Sequence, residues 1–350
     1  MSAMMPSSAS DGPLVSAIVV NWNGADYVDA CLASLLDQTW SALEIIVVDN
    51  GSSDGSRELL RSRYGSRITL IESPVNLGFA GGNNMGIRAA KGAHVVLLNN
   101  DAVAAPGWVE ALVQAAEADP RIGMCACKIL VLGRNGLIDS AGLLLSADGI
   151  GRGRGRLEPD GEAYSQPEDA LVPSGCAALY RRAMLDEIGL FDEDFFAYCE
   201  DSDLGLRGRL AGWTCRYVPT AVVHHAYSRS TAPYSTFKAF HVERNRCFVL
   251  MKCFPASVIL ASVPYTIVRY ALQAWGAVTR RGAAARLAER TPPTALVTLL
   301  LRAWTSAIIL APRMLARRRR HRGLRRLTTA EWRRAVRRHR VGLRELALKD

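Results

Sequence analysis

Residues 95–101 read Val-Val-Leu-Leu-Asn-Asn-Asp, and this stretch decides the fold class of the 350-residue chain. Four consecutive apolar residues without polar alternation indicate a strand that is buried on both faces, as in a parallel sheet. Asn99, Asn100 and Asp101 follow at the carboxyl end of this strand, where open α/β sheets bind their ligands. The carboxylate of Asp101 suits a hard divalent cation that also binds a diphosphate. A plain turn is the alternative, because Asn and Asp are common turn residues.

The same pattern of an apolar strand and a polar cluster occurs three times before residue 95. Strands are predicted at 15–20, 43–48 and 68–72, and each is followed by apolar residues at helical spacing. This alternation predicts a doubly wound parallel sheet. The glycines after the third strand lack the Gly-x-Gly-x-x-Gly spacing, which disfavours a nicotinamide-binding fold. The polar clusters contain Asn21, Asn23, Asp49, Asp54, Asn76, Gly78 and Asn83.

A second acidic cluster, Glu200-Asp201-Ser202-Asp203, lies among apolar residues. Leu204, Leu206 and Leu210 indicate a helix that begins at these carboxylates. A carboxyl group beside apolar side chains and other acids has a raised pKa, which suits a general base near neutral pH. The alternative is an acidic turn that only caps the helix.

Two histidines, His224 and His225, follow a strand predicted at 217–223. A structural role is the ordinary interpretation of such a pair. One of them is nevertheless a candidate metal ligand, because the pair follows both the Asn-Asn-Asp stretch and the acidic helix.

The net charge of +10 is divided unevenly along the chain. Residues 1–235 contain 18 Lys or Arg and 28 Asp or Glu, whereas residues 236–350 contain 25 and 5. Residues 313–340 alone contain 13 arginines. A basic segment of this kind indicates a polyanionic partner, either nucleic acid or an anionic membrane surface.

Two apolar segments, 257–278 and 294–312, have nearly the length of a membrane span. Pro264, Arg269 and Arg302 interrupt them, and an arginine near the middle of a span is costly. We therefore expect amphipathic helices that lie in the membrane interface. A buried helical bundle is the alternative.

Other segments yield weaker expectations. The eight cysteines include no Cys-x-x-Cys pair, which disfavours a zinc site and favours buried thiols in a reducing compartment. Residues 149–173, rich in Gly, Arg, Glu and Pro, are expected to form a mobile loop over the site. Residues 1–13 show no signal-peptide pattern and are expected to be a disordered leader.

Five motifs between residues 14 and 250 occur together. They are Val-Val-Asn-Trp-Asn at 19–23, Val-Asp-Asn-Gly-Ser-Ser-Asp-Gly at 48–55, Asn-Leu-Gly-Phe-Ala-Gly-Gly-Asn at 76–83, Leu-Asn-Asn-Asp at 98–101 and Tyr-Cys-Glu-Asp-Ser-Asp-Leu at 198–204. In this order they resemble the inverting family-two glycosyltransferases, and most of all the bacterial rhamnosyltransferases. The resemblance implies a GT-A-type doubly wound mixed sheet with a Rossmann-like nucleotide-binding half at 14–250. Membrane-associating helices and an Arg-rich tail follow at 251–350.

The resemblance also implies which residues bind the donor. Asp49 would hold the base or ribose of the nucleotide, and Asn76 would lie along the path of the sugar diphosphate. The donor-binding set is Asn21, Asn23, Asp49, Asp54, Asn76, Gly78, Asn83 and Asn100.

The metal and the base are implied in the same way. Asp101 stands where the family has the last residue of Asp-x-Asp and would bind Mg²⁺ or Mn²⁺. Asn99 replaces an acid of that motif, so metal affinity without nucleotide is expected to be weak. The family also uses a histidine after a strand, and strand alternation favours His225 over His224. Asp201 would be the general base, with Glu200 beside it.

The implied reaction is transfer of a sugar with inversion, L-rhamnose from dTDP-rhamnose, to a polyprenyl-linked glycan or a cell-wall polysaccharide. The implied location is the cytoplasmic side of the cell membrane. A polyprenyl-phosphate sugar transferase or a nucleotidyltransferase with a similar sheet is one alternative. A nucleic-acid-binding protein is another, and it is disfavoured because the basic residues are not interleaved with aromatic ones for base stacking.

Overall fold

The computed structural model describes residues 12–134, 136–226 and 234–349. The leader expected at 1–13 lies almost entirely outside the described residues. The strands in these ranges are β1 (Val15–Asn21), β2 (Leu43–Asn50), β3 (Thr69–Ser73), β4 (His94–Leu98), β5 (Ala102–Ala104), β6 (Ile122–Val131), β7 (Ile138–Ser140), β8 (Leu143–Leu145), β9 (Gly151–Gly153), β10 (Glu168–Ala170), β11 (Ala177–Arg181) and β12 (Thr214–His225). The α-helices are α1 (Val28–Leu36), α2 (Ser56–Tyr64), α3 (Gly78–Ala89), α4 (Trp108–Glu117), α5 (Arg182–Ile188), α6 (Glu200–Leu210), α7 (Thr236–Cys253), α8 (Ala256–Val278), α9 (Gly282–Ala288), α10 (Pro293–Arg320), α11 (Thr329–Arg338) and α12 (Leu343–Leu348).

Ten of these strands form one mixed sheet in the order β10-β12-β6-β11-β4-β1-β2-β3, with β5 beside β12 and β7 beside β6. β1 pairs in parallel with β2 and with β4, and β2 pairs in parallel with β3, as the sequence predicts. β11 runs antiparallel between β4 and β6, which makes the sheet mixed. The carboxyl ends of β1, β2 and β4 therefore meet at one edge, where ligands bind in such sheets.

β4 is buried on both faces, as its four apolar residues predict. Val96 and Leu98 pack in one hydrophobic cluster with α1 and α4, while Val95 and Leu97 pack in a second cluster with α3 and α5. Alternate residues of a strand point to opposite faces, so both layers of helices depend on this strand. The doubly wound arrangement is therefore confirmed.

The expected loop at 149–173 was wrong in part. The segment contains β9, which pairs with β8, and β10, which pairs with the long strand β12. β9 pairs with a strand close to it in sequence, and β10 pairs with a strand that is distant in sequence. The local composition of the segment does not reveal either pairing. The segment contributes Gly151 and Arg152 to the wall of the large cavity described below.

The carboxyl-terminal helices pack against the sheet domain. A third hydrophobic cluster joins Phe195 of the sheet domain to Phe248 of α7, Met314 of α10 and Trp332 of α11. The domain boundary expected at residue 250 lies inside α7.

The Arg-rich segment is helical in part and forms ion pairs with the sheet domain. α10 continues to Arg320, and Arg313 and Arg317 bind Asp194 at 2.9 and 2.8 Å. Arg326 binds Glu187 at 2.9 Å. Some arginines of this segment thus form ion pairs with acidic residues of the sheet domain. These acidic residues are distant in sequence, so the pairs could not be predicted from the sequence.

Two long helices, α8 and α10, occupy the apolar segments. Arg269 is 1 % exposed and binds Asp148 at 2.5 Å, so it is an internal ion-pair residue and not an interruption of a membrane-facing surface. Twelve of the sixteen exposed large apolar side chains in the described chain lie on α8 and α10. By length and composition, one described helix, Pro293–Leu324, could cross a membrane.

Candidate active site

One large cavity, of about 1440 Å³, lies at the carboxyl ends of β1, β2 and β4. Trp22 follows β1, Asn50 ends β2 and Asn99 follows β4, and all three line the cavity. The sheet topology gathers these residues, because parallel neighbouring strands end on the same side. The predicted site residues in the cavity wall are Asn76, Gly78, Asn100, Asp101, Glu200, Asp201 and His225.

Asp101 and His225 form a pair inside this cavity. β12 pairs with β5 so that His225 lies opposite Ala102, which places its Nε2 atom 3.2 Å from Asp101 Oδ1. Its Nδ1 atom lies 2.8 Å from Asp139 Oδ2. Burial lowers the pKa of His225, but Cys176 and the two carboxylates raise it by more, to well above the usual value. His224 is exposed, as strand alternation predicts.

The pair fits part of a divalent-cation site. Adjacent ligands of an octahedral Mg²⁺ lie about 3 Å apart when each is about 2.1 Å from the metal, and the Asp101 and His225 atoms have this spacing. A carboxylate on the second ring nitrogen, here Asp139, is the usual support of a ligand histidine. Within the described ranges no group of three His, Cys, Asp or Glu side chains could hold a metal. A cation held by this pair would have two protein ligands, and substrate oxygens or water would have to supply the others.

The first two residues of α6 place two carboxyl groups in the cavity wall. Asp201 accepts hydrogen bonds from the N–H groups of Gly175 and Ser202, at 3.0 and 2.6 Å. Burial raises the pKa of Asp201 above its ordinary 3.8, although these hydrogen bonds act in the opposite direction. Burial and the neighbouring Asp201 raise the pKa of Glu200 well above its ordinary value. Within the described structure, Glu200 Oε2 has no hydrogen-bond partner.

The loop before α6 has an unusual backbone. Phe196, Tyr198 and Cys199 have φ angles of +63°, +71° and +67°. Such angles are unfavourable for residues with side chains and persist only where the surroundings impose them. The buried side chain of Asn245, on α7, donates from Nδ2 to three carbonyl oxygens of residues 195–198 at 2.7–2.9 Å. Asn245 thus fixes the loop that positions Asp201.

Comparison with known proteins places this architecture in a family. Residues 16–189 match the model of glycosyl transferase family 2. Over 253 residues the chain is 30 % identical to an N-acetylglucosaminyl-diphospho-decaprenol L-rhamnosyltransferase of Mycobacterium tuberculosis. The aligned region covers 65 % of this chain and 81 % of that protein. The chain belongs to glycosyltransferase family 2.

Other similarities agree with this assignment. An uncharacterized glycosyltransferase of Haemophilus influenzae is 36 % identical over 112 residues, which is 31 % of this chain and 35 % of that protein. The crystal structure of GalNAc-T7 with UDP, GalNAc and Mn²⁺ has a TM-score of 0.56 at 16 % identity, covering 69 % of this chain and 48 % of that one. The family and the GT-A-type mixed sheet predicted from the five motifs are confirmed.

Two predicted donor-binding residues of this glycosyltransferase, Asn21 and Asp49, form a chain of hydrogen bonds with Asn100 behind the cavity wall. Asn100 donates to Asn21 Oδ1 at 3.0 Å, and Asn21 donates to Ser56 Oγ at 2.9 Å and to Asp49 Oδ1 at 3.5 Å. Asp49 is fully buried and binds Arg57 at 3.0 Å. These bonds join the ends of β1, β2 and β4, so they set the position of Asn100 in the cavity.

Three further predicted residues also make internal bonds. Asn23 Oδ1 accepts from the N–H of Ser53 at 2.9 Å, and Asp54 Oδ2 accepts from the N–H of Ala25 at 2.8 Å. Asn83 donates to the carbonyl of Phe79 within α3 at 2.9 Å. The described cavity wall includes none of the residues Asn21, Asn23, Asp49, Asp54 and Asn83. Their contact with the donor stays a prediction.

Sequence reasoning missed three residues of the glycosyltransferase site. Asn50 lines the cavity and donates to Gly78 O and Asn76 Oδ1, both at 3.1 Å. Its place beside Asp49 in the second motif is a signal that could have identified it. Asp139 and Asn245 lie outside the five motifs, and only the fold brings them to His225 and to the loop before α6.

Proposed function

We propose that this glycosyltransferase is an inverting enzyme that uses Mg²⁺ or Mn²⁺ and transfers L-rhamnose from dTDP-rhamnose to a polyprenyl-linked glycan or a cell-wall polysaccharide. The observation that carries the proposal is that the Asp101–His225 pair and the buried Asp201 line one cavity. The pair suits the diphosphate end of a donor, and Asp201 suits an acceptor hydroxyl. The name of the mycobacterial relative supports the choice of rhamnose and of a lipid-linked acceptor.

Donor binding uses groups of the first half of the chain. Asp101 and His225 would hold the divalent cation, which offsets the negative charge on the departing nucleoside diphosphate when it is bound. Gly78 and Phe79, at the amino end of α3, line the same cavity. The amino end of a helix favours an anion, so α3 adds a second stabilising element for the diphosphate.

Transfer uses the second half of the sheet domain. Asp201 accepts the proton of the acceptor hydroxyl while the acceptor oxygen bonds to the anomeric carbon. The bond from that carbon to the diphosphate oxygen breaks on the opposite side, so the configuration inverts. The proton then leaves Asp201 for solvent. Burial and the neighbouring Asp201 raise the pKa of Glu200, which favours its neutral form and so disfavours a second negative charge beside the base.

Membrane attachment is the third part of the proposal. The exposed apolar side chains of α8 and α10 and the basic charge of residues 236–350 suit the anionic cytoplasmic surface of the cell membrane. A polyprenyl-linked acceptor lies in that membrane, so attachment places the cavity within its reach.

The test is a donor panel with the purified full chain in detergent. Deoxythymidine and uridine diphosphate sugars are each measured for binding and for release of nucleoside diphosphate, with Mn²⁺, with Mg²⁺ and with chelator. We expect binding of dTDP-rhamnose that chelator weakens about tenfold or more. If none of the donors binds, the proposed function is wrong.

The substitution Asp101→Asn tests the cation site directly. It removes one charged ligand, so the Mn²⁺-dependent part of donor affinity is expected to fall by roughly 10- to 100-fold. Asp119→Asn is the matched control, because Asp119 is a surface residue bound to Arg121. Unchanged Mn²⁺ dependence in Asp101→Asn would show that the cation binds elsewhere.

A further inference from the structure

The large cavity has a second, apolar limb beyond the catalytic residues. Its wall there comes mainly from three carboxyl-terminal helices and contains Ala274 and Ala277 of α8, Ala284 and Leu287 of α9, and Leu296 and Leu300 of α10; Gln273, Leu346 of α12 and Lys349 also line the cavity. Small alanine side chains on two of the helices leave room between them. This limb and the catalytic end belong to one continuous cavity.

The size of the cavity exceeds the need of a donor alone. Pockets that enclose a small ligand measure about 300–1,000 Å³, and this cavity measures about 1440 Å³. A nucleotide sugar carries a charged diphosphate and many hydroxyl groups, whereas the second limb is lined mainly by apolar side chains. The additional space therefore suits an apolar ligand that continues from the reacting end.

Ion pairs and hydrogen bonds join the helices where the apolar limb meets the catalytic end of the cavity. Glu243 of α7 binds Arg269 of α8 at 3.0 Å, and Trp304 of α10 donates to Tyr270 Oη of α8 at 3.1 Å. Burial acts to raise the pKa of Glu243, but Arg269 and Arg246 lower it by more, to about 2, so Glu243 is ionised in this network. These bonds thus join α7, α8 and α10 where the polar wall ends.

A cation lies on the catalytic side of this junction. Lys238 lines the cavity, and its Nζ atom lies 5.3 Å from the ring centroid of Tyr198, in the loop before α6. A phosphate group attached to the acceptor sugar would lie close to the sugar and hence close to this loop. Lys238 is placed to offset its charge.

The far end of the limb meets the exposed apolar surface. Val297 and Leu301 line the cavity and are 57 % and 58 % exposed. Ile308 and Ile309 continue this surface along α10, at 73 % and 69 % exposure. A ligand anchored in a membrane could therefore enter the limb from the surface that the membrane covers.

We propose that the apolar limb between α8, α9 and α10 binds the isoprenoid chain of a polyprenyl-linked acceptor, with its phosphate beside Lys238 and its terminal sugar at Asp201. This inference rests on the proposed function in taking the acceptor to be lipid-linked. Such an acceptor has an apolar chain, then a charged phosphate, then a sugar. The cavity offers the apolar limb, then the basic Lys238, then the acidic Asp201, in the same order.

The test measures lipid binding and needs no catalysis. The full chain in detergent is titrated with geranyl, farnesyl and geranylgeranyl diphosphate, each labelled with a fluorophore, and with inorganic pyrophosphate as competitor. Each added isoprene unit buries more apolar area, so we expect the dissociation constant to fall about threefold or more per unit. Pyrophosphate alone is expected not to displace the longest probe.

Two kinds of substitution block the limb. Ala274→Trp and Ala284→Trp fill it, and Val297→Asp places a charge at its exposed end, where folding does not depend on an apolar side chain. All are expected to abolish the dependence on chain length. Ala271→Trp is the control, because Ala271 is exposed on the same helix and lies outside the described cavity wall.

Two results would overturn the inference. The first is binding by the native chain that does not depend on chain length. The second is an unchanged dependence in Val297→Asp and in either tryptophan variant. A donor panel in which no nucleotide sugar binds would disprove the proposed function, yet the lipid titration would still decide whether the limb binds isoprenoid chains. The two failures are therefore distinguishable.

Discussion

At the scale of single residues, Asp201 and Glu200 are adjacent carboxyl groups with different surroundings. Asp201 has two backbone N–H donors that stabilise its anion, whereas Glu200 Oε2 has no partner in the described structure. Hydrogen-bond donors that stabilise the anion lower the pKa of a carboxyl group, so it ionises more readily than a carboxyl group without them. These surroundings suit Asp201 to its proposed role as the base and favour the neutral form of Glu200, although the two residues are neighbours in the chain.

The substitution Asp201→Asn is expected to lower kcat by roughly 10²–10⁴-fold, because it removes the proton acceptor. Donor affinity should stay within about twofold, since Asp201 is assigned to the acceptor side. Glu200→Gln is the matched variant and should change kcat by about threefold or less, because Glu200 is not assigned the proton of the acceptor and the amide keeps the size of its side chain. Steady-state kinetics and calorimetric titration of the donor measure both. Rapid turnover by Asp201→Asn would assign the base to another residue.

The dependence of rate on pH follows from the same group. Burial raises the pKa of Asp201 above 3.8, and the base must be deprotonated to act. We therefore expect kcat/KM to rise with pH through this raised pKa, by about tenfold per unit on its acidic side. The residual rate of Asp201→Asn should lack this rise with pH. A rise with the same apparent pKa in that variant would mean that a different group titrates.

Strand-end residues could be predicted from sequence, but their directions could not. Asp49 and Asn50 are neighbours on β2, so they point to opposite faces. The sequence indicated Asp49, yet it is Asn50 that lines the cavity. The choice depends on which face of the sheet edge the loops leave open, and that is set by packing between elements distant in the chain. Asp139 illustrates the same limit, since it reaches His225 only because β7 pairs with β6.

At the scale of elements, the loop at 195–199 is held in a strained shape by a helix that follows it in the chain. Three residues with positive φ precede α6, and Asn245 of α7 pairs with the carbonyls between them. Gly78 lies on the other side, where an added Cβ would be 2.4 Å from Phe196 O. The position of the base thus depends on α3, α6 and α7 together.

The substitution Asn245→Leu keeps the size of the side chain and removes the hydrogen bonds to the loop. Leaving buried carbonyls unpaired should lower the free energy of unfolding by roughly 2–4 kcal/mol. The loosened loop should also lower kcat by about 10- to 100-fold, because small displacements of a catalytic group are costly. Urea denaturation and initial rates measure the two effects.

Asn84→Leu is the control for this experiment. Asn84 is also buried. It donates to Phe191 O at 2.9 Å and to Glu193 Oε1 at 2.8 Å and accepts from the N–H of Phe191 at 3.0 Å, and none of these three bonds is to residues 195–199. It should cost similar stability with a smaller loss of kcat. Equal losses of kcat in the two variants would show that Asn245 acts only through general stability.

Elements with a clear pattern were predictable, and those that depend on distant pairing were not. β4 and α8 follow from continuous apolar residues and helical spacing in the sequence. β9 and β10 are short strands in a segment rich in Gly and Arg, and they form because β8 and β12 offer them partners. The burial of Arg269 could not be read from its apolar neighbours either, since its partners Asp148 and Glu243 come from other elements.

At the scale of the whole molecule, an acidic sheet domain and a basic helical region share an interface. Lys252 binds both Asp192 and Asp203 inside it, at 2.6 and 2.7 Å. Burial lowers the pKa of Lys252, and the carboxylate of Asp203 offsets part of that effect. The helical region thereby neutralises acids of the sheet domain and still presents an apolar surface on α8 and α10.

Binding to vesicles of phosphatidylglycerol and phosphatidylcholine tests this surface. The double substitution Ile308→Asp and Ile309→Asp is expected to weaken binding about tenfold or more, because it places charges where apolar side chains would enter the interface. Leu132→Asp is the control, since Leu132 is 47 % exposed and belongs to the sheet domain. Cosedimentation measures the bound fraction. Equal binding by both variants would place the membrane contact elsewhere.

The link between Asn245 and the loop before α6 also has a consequence for biosynthesis. Asn245 is 47 residues downstream of Tyr198, so the loop is translated before the side chain that fixes it. At about 5–20 residues per second, this delay is roughly 2–10 s. During that time β1 to β4 have been translated, but the loop before α6 still lacks the side chain that holds its carbonyl groups. The loop, and with it Asp201, can therefore reach its final shape only after α7 has been made and has packed against it.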